Sequence, residues 1–201
     1  MHLADNIEWI FAVDEDEPVF DLEGLELLFV QTRHGCVKKV NALAEKAKGD
    51  VFFHGTDDVY CPHAWDSMIL DAMGDLDRDR VLALSDGRKD DKRVNLIKGN
   101  CMTRKRYERY GFFFHPYFFH LYADNFFSDL AWHDNVVIDG RHIVLDHRHP
   151  AYGTAKKDAI YDLINAPGRY KQGKIIYQNL IKQFGINPVS IFQNPCGIYV
   201  S

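Results

Sequence analysis

Apolar and polar blocks alternate through the first half of the chain. Residues 7–13 (IEWIFAV) form a nearly continuous apolar run that closes on Asp14, Glu15 and Asp16. Such a run predicts a buried strand whose end opens onto a polar loop. Residues 25–31 (LELLFVQ) predict a second strand, after the turn at Gly24. In 35–48, Val37, Val40, Ala44 and Ala47 recur near helical spacing, and Gly49 can stop that helix. A short strand over 50–54 (DVFFH) leads into Gly55-Thr56-Asp57-Asp58. His63 to Met73 read as a helix with Trp65, Ile69 and Met73 on one side, and residues 80–84 (RVLAL) as a further strand. Strand and helix in alternation predict an α/β sheet that is at least partly parallel. Ligands of such sheets bind beyond the carboxyl ends of the strands. Two acidic groups, Asp14/Asp16 and Asp57/Asp58, fall at such ends.

The second half is less regular. Residues 111–122 (GFFFHPYFFHLY) are strongly aromatic. Val136–Ile138 and His142–Leu145, joined by Asp139-Gly140, read as a hairpin. Helices are expected over 155–165 and roughly 170–184, and an irregular tail after Gly185. No internal repeat, low-complexity stretch or linker interrupts the 201 residues.

Composition narrows the classes. With 46% apolar and 26% charged residues, the chain supports one sizeable core and not bulk disorder. A formal charge of −5 disfavours a nucleic-acid coat or a polybasic membrane anchor. A local patch survives that argument: residues 87–110 hold nine Lys/Arg against three acids. It suits a solvated loop and helix face, a lid over a diphosphate, or a nucleic-acid backbone contact. No apolar run approaches the ~18 residues a membrane span needs. The start, MHLADNIEWIF, lacks the pattern of a secretory signal. Cys36, Cys61, Cys101 and Cys196 include no CxxC pair, which predicts reduced thiols and a cytoplasmic location.

Three places could carry chemistry. Asp57-Asp58 put two carboxylates side by side at a strand end. A divalent cation on a phosphorylated ligand would neutralise them, since Mg²⁺ and Mn²⁺ favour oxygen and often take only one or two protein ligands. An acidic turn or helix N-cap is the plainer alternative. His147-Arg148-His149 follows a predicted strand, and on extended backbone both imidazoles share a face. That face suits a metal or phosphate, or a solvated turn before Pro150. Asp124, just beyond the aromatic stretch, is a candidate general base or the N-cap of a following helix.

Together these pieces resemble the GT-A glycosyltransferases, specifically the family-2-like group, from about Ile7 to Tyr152. The strand ending in Asp14-Glu15-Asp16 is similar to the one whose terminal acid contacts the nucleotide base. Gly35-Cys36-Val37-Lys38-Lys39-Val40-Asn41 is similar to the family's G-x-x-x-(K/R)-x-N helix start. Gly49 to Phe53 followed by Thr56-Asp57-Asp58 looks like the DxD-type metal region, with its acids adjacent here, and Pro62 and Trp65-Asp66 follow in family order. Arg106-Tyr107, Gly111 and then Tyr122-Ala123-Asp124 resemble the acceptor-side segment that holds the catalytic acid of inverting members. His147 and His149 stand where many such enzymes supply a late histidine.

The resemblance implies a GT-A-like (Rossmann-like), mixed and mostly parallel sheet flanked by helices. It implies one domain over 1–201, with a nucleotide-sugar part (1–85), an acceptor and metal part (86–154) and C-terminal helices (155–201). The expected reaction moves a sugar from a nucleoside diphosphate sugar to an acceptor hydroxyl, with inversion. Mn²⁺ or Mg²⁺ would be held by Asp58, His147 and His149. Asp14, Asp16, Lys38, Lys39, Asn41 and Asp57 would bind the donor, Arg148 would assist, and Asp124 would be the base. The acceptor stays open among a glycan, a lipid-linked sugar, a protein and a modified DNA base. The family's usual first strand and helix have no counterpart, so an N-terminal truncation is expected, with a partner or second copy covering the gap. A metal-dependent phosphoesterase or nuclease, or a non-catalytic nucleotide-sugar-binding remnant or subunit, are the alternatives.

Overall fold

A central strand buried on both faces organises the molecule. In this computed structural model, which describes residues 7–14, 26–30, 35–88, 93–150, 153–157 and 159–190, that strand is β5 (Val81–Ser85). Its run Val-Leu-Ala-Leu has no polar alternation, and Val81 to Leu84 are all buried. The pattern is that of a strand covered by helices on both sides.

β5 belongs to a four-stranded sheet ordered β3 (Val51–Phe53), β6 (Lys98–Thr103), β5 and β7 (Val137–Val144). β6 is antiparallel to both β3 and β5, whereas β5 and β7 are parallel. Three of the four strands therefore run one way and β6 alone is reversed. The architecture is mixed α/β, with a mixed sheet flanked by helices, as the alternating pattern implies. The carboxyl ends of β3, β5 and β7 consequently lie along one edge.

Each face has its own core. On one, Val81, Ala83 and Met102 pack with α1 (Cys36–Lys46), the aromatic segment 113–118, α4 (Ala123–His133) and α6 (Pro167–Phe184). On the other, Leu82, Leu84, Cys101, Ile143 and Leu145 pack with Ile69 and Met73 of α2 (Trp65–Met73). Helix α1 buries Val37, Val40 and Ala44, the positions its spacing predicts. A further pair, β1 (Ile10–Asp14) and β2 (Glu26–Val30), is parallel and forms a separate two-stranded sheet. Glu8 ties its approach to the rest, accepting from the Lys48 and Gly49 backbone N–H groups at 2.7 and 3.3 Å.

One expectation is corrected. The Asp139-Gly140 hairpin does not form; residues 137–144 are one strand, and its register against β5 shifts between Ala83 and Ser85. Gly140 serves close approach instead: a Cβ there would stand 2.6 Å from the Leu82 side chain. The basic stretch 87–110, which the sequence left open among a loop and helix face, a lid and a nucleic-acid contact, contains β6 and α3 (Arg104–Tyr110). Lys98-Gly-Asn-Cys-Met-Thr lacks the apolar period of a strand, and only its pairing to β3 and β5 makes it one.

The cations of α3 are consumed internally. Arg106, 4% exposed, meets Asp134, 8% exposed, at 2.6 Å and Asp79 at 3.4 Å. Arg109 reaches Asp79 at 2.7 Å, and Tyr110 Oη donates to Asp134 at 2.6 Å. Burial alone would raise the Asp134 carboxyl, but the bonds from Tyr110 and Arg106 prevail and hold it below its usual range. Arg104 lies over the Phe52 ring at 4.9 Å and donates to the carbonyls of Ala47 and Gly49 at 2.9 and 2.6 Å. Arg104, Arg106 and Arg109 thus serve the fold.

Candidate functional site

The shared edge of β3, β5 and β7 gathers side chains from distant parts of the sequence. Beyond β3, residues 54–58 turn into β4 (Val59–Tyr60); beyond β7, the chain enters β8 (Asp146–His147). β4 and β8 pair antiparallel, with Val59 opposite His147 and Tyr60 opposite Asp146. The Arg148 N–H extends that ladder, donating to the Asp58 carbonyl at 2.9 Å. The short ladder brings His147 Nε2 to 3.2 Å from Asp58 Oδ2. Thr56 Oγ1 donates to Asp58 Oδ1 at 2.6 Å and fixes the carboxylate from its other side. The His147 and His149 rings lie 5.2 Å apart, centre to centre. His149 is held in turn by the Tyr161 ring at 5.6 Å and by Thr154 Oγ1, which accepts from its backbone N–H at 2.9 Å.

Histidines that the sequence did not single out extend this group inward. Burial lowers the His149 imidazole below its ordinary pKa; His147 adds to the effect and the Asp58 charge opposes it. His120 is lowered by burial as well, raised by Asp124 and lowered again by His149. His54, edge-on to Phe113 and Phe114 at 6.1 and 5.7 Å, is pushed down to about 4 by burial, with His120 contributing. Cys36 at the start of α1 is pushed up to about 11 by burial, against Lys39 and with Asp124. Asp58, His147, His149, His120 and Asp124 thus form one electrostatic neighbourhood. Imidazoles lowered in this way are neutral near pH 7, the form that ligates a metal.

The segment before Asp124 is rigidly seated. Gly35 touches it so closely that a Cβ would lie 2.0 Å from the Phe119 carbonyl oxygen, and a Cβ on Gly173 would lie 2.7 Å from that of Leu121. Tyr122 adopts a left-handed conformation (φ 70°), costly for a residue with a Cβ. Its buried ring packs against Tyr170 and Tyr177 at 5.3 and 5.6 Å, which pins that conformation. Asp124 then lies in the first turn of α4 and accepts from the Asn125 N–H at 2.9 Å.

The other candidates are placed as follows. Asn41 is spent on structure: its Oδ1 accepts from the Phe113 and Phe114 N–H groups at 3.0 and 2.9 Å, and its Nδ2 donates to the Phe114 carbonyl at 2.7 Å. Asp57 is exposed beside Asp58. Lys38 and Lys39 lie in the first turn of α1, the first exposed and the second half-buried. Arg148 lies over the Tyr60 ring at 4.1 Å and pairs with Asp146 at 3.1 Å. Asp14 is the last residue of β1, and Asp16 lies outside the described residues. His54 and His120 carried no motif; only the end of an apolar strand and the end of an aromatic run marked them.

A resident cation has a partial fit here. Among the described residues, no three His, Cys, Asp or Glu side chains converge tightly enough to cage an ion. The Asp58–His147 pair, with His149 behind it, suits a cation that takes two protein ligands and fills the rest of its shell from a diphosphate and water. Also among the described residues, no helix is long and apolar enough to cross a membrane. Comparison with models of known families, with curated proteins and with solved structures finds no match to this chain.

Proposed function

We propose that the protein is a GT-A-like glycosyltransferase, transferring a sugar from a nucleoside diphosphate sugar to an acceptor hydroxyl with inversion. The observation that carries this reading is the contact between Asp58 and His147, 89 residues apart in sequence, at the carboxyl edge of the sheet. A mixed sheet with helices on both faces and one reversed strand is compatible with it.

Asp58 and His147, with His149, would hold Mn²⁺ or Mg²⁺ against the donor. When bound, that ion supplies charge neutralisation for the departing nucleoside diphosphate. Lys38 and Lys39 in the first turn of α1, and Arg148 between the two histidines, would attract the pyrophosphate. Asp14, Asp16 and Asp57 are assigned to the rest of the donor. Asp124 takes the proton of the acceptor hydroxyl. The oxygen then forms its bond to the anomeric carbon, and the bond from that carbon to the diphosphate oxygen breaks on the opposite face. His120 and the clamped 119–122 backbone hold Asp124's surroundings fixed, and preorganisation of this kind lowers barriers.

Hydrolysis of phosphoesters by two metals asks for more ligands than the Asp58–His147–His149 set supplies. The test is calorimetry with Mn²⁺ and UDP-, GDP- and dTDP-sugars, followed by assay of diphosphate release. The reading expects metal-dependent binding of one donor, weakened at least tenfold in Asp58→Ala. Binding unchanged in that variant, or cleavage of a plain phosphodiester, would overturn it. Binding without turnover on any acceptor would favour a donor-binding remnant.

A further inference from the structure

The seated loop 119–122 also faces α5 (Ala159–Ile164) and α6. There it forms a cleft with them, lined by Phe119, His120, Leu121, Arg169, Gln172 and Ile176 among others. Two of these groups are poorly explained by the fold. The Nδ1 of His120 is buried and has no hydrogen-bond partner among the described residues. A buried polar atom left in that state is destabilising, and native proteins tolerate few of them. Arg169 is half-buried with its guanidinium stacked 3.8 Å over the Phe119 ring. Among the described residues this stack is its only side-chain interaction, and no carboxylate pairs with it. The contrast with Arg106 is direct, since that guanidinium is answered by Asp134 and Asp79.

A guanidinium stacked on one face keeps its edge donors in a fixed fork, and that fork fits the two oxygens of a carboxylate or phosphate. The stack also removes much of the entropy an exposed arginine would lose on binding. Leu121 and Ile176 add an apolar wall, and Gln172 adds an amide at the rim. His120 belongs both to this cleft and to the neighbourhood of Asp124.

The geometry points to this cleft as the acceptor subsite, recognising an acceptor that bears an oxyanion, a phosphate ester or a carboxylate, held by the Arg169 fork with His120 beside it. The inference rests on the transferase reading for the word acceptor; the anion site itself stands on Arg169, Phe119 and His120. An anchored oxyanion would leave the remainder of the molecule beside His120, whose electrostatics are linked to Asp124. The sequence left the acceptor open among four classes, and an anionic small molecule or an anionic group on a larger one is the narrower requirement.

The test uses the full chain without metal or nucleotide and follows arginine Nε–H and histidine ring signals by NMR. Phenyl phosphate, benzoate and neutral phenol are added separately. Saturable shifts of the Arg169 and His120 signals with phenyl phosphate or benzoate, and not with phenol, are expected, and the stronger of the two anions names the oxyanion. Arg169→Gln should weaken that binding at least tenfold. Arg169→Lys, which keeps charge but not the fork, should retain part of it, and Asp58→Ala all of it. No saturable shift, equal shifts with phenol, or full affinity in Arg169→Gln overturns the proposal. Donor binding is scored separately with Mn²⁺ and the nucleotide sugars. Binding of phenyl phosphate through Arg169 with no nucleotide bound would keep the anion cleft and overturn its role as an acceptor subsite.

Discussion

Two charged regions of the molecule are built on opposite terms. Around α3, Arg106, Arg109 and Tyr110 converge on Asp79 and Asp134, so each buried charge has an answering one within hydrogen-bond reach. Asp129 of α4 is treated alike: fully buried, it accepts from Tyr177 Oη and from the Val189 and Ser190 N–H groups. At the carboxyl edge of the sheet, by contrast, imidazoles are crowded together and desolvated. His120 keeps a polar atom unpartnered among the described residues, and Arg169 is stacked without an anion. A saturated network serves the fold, because removing one of its groups deprives a buried partner of a bond. A desolvated cluster with spare valence costs stability and is retained where a ligand completes it.

The comparison can be broken by substitution. The largest effect is expected at the saturated end: Arg106→Ala removes the shortest ion pair of the buried Asp134 side chain, leaving it Tyr110 and Arg109, and should lower stability by about 2–3 kcal/mol in urea denaturation. The double variant Arg106→Met/Asp134→Leu should recover most of that loss, because a paired burial is replaced by an apolar one. A double variant as unstable as the single one would mean that geometry, not charge, dominates there.

Gly173→Ala comes next. Its Cβ would meet a backbone carbonyl at 2.7 Å, so the clash of about 1–3 kcal/mol outweighs the roughly 1 kcal/mol that alanine gains in a helix. Because the contact is with Leu121, the 119–122 segment should shift, weakening binding of phenyl phosphate together with the melting temperature. Loss of stability with unaltered phenyl phosphate affinity would separate the cleft from its clamp.

Asp58→Ala should change stability by less than about 1 kcal/mol, since its partners are a partly exposed histidine and a threonine hydroxyl. Its binding phenotype should nevertheless be severe, which is the signature of the second region. A large loss in melting temperature would assign Asp58 to the fold instead.

The smallest effect is a pH dependence. His54 is depressed to about 4 from the 6.5 of an ordinary histidine, so the unfolded chain binds its proton more tightly than the folded one. Its contribution is therefore complete above about pH 6.5 and is lost as pH falls towards 4. His54→Gln should flatten the melting-temperature profile across that window relative to the parent chain. Parallel profiles would show that His54 does not carry the acid sensitivity.

The helices and the covered central strand were written into local pattern. Val37, Val40 and Ala44, Ile69 and Met73, and the run Val81–Leu84 each bury a predictable face, because period and apolarity are properties of neighbouring residues. Asp57-Asp58, His147, His149 and Asp124 stood out in the sequence only as candidates beside plainer readings, and it is the fold that brings Asp58 to His147. Sequence could not pair β4 with β8, turn Lys98–Thr103 into a strand, or read Asp139-Gly140 as close contact instead of a turn. Nor could it tell the satisfied arginines of α3 from the one of α6 that no carboxylate answers among the described residues, although both lie in basic, aromatic-rich stretches. That distinction depends on which carboxylates arrive from elsewhere in the chain, as Asp79 and Asp134 do for Arg106. Long-range placement is fixed by the packing of whole layers, and no window of neighbouring residues contains it.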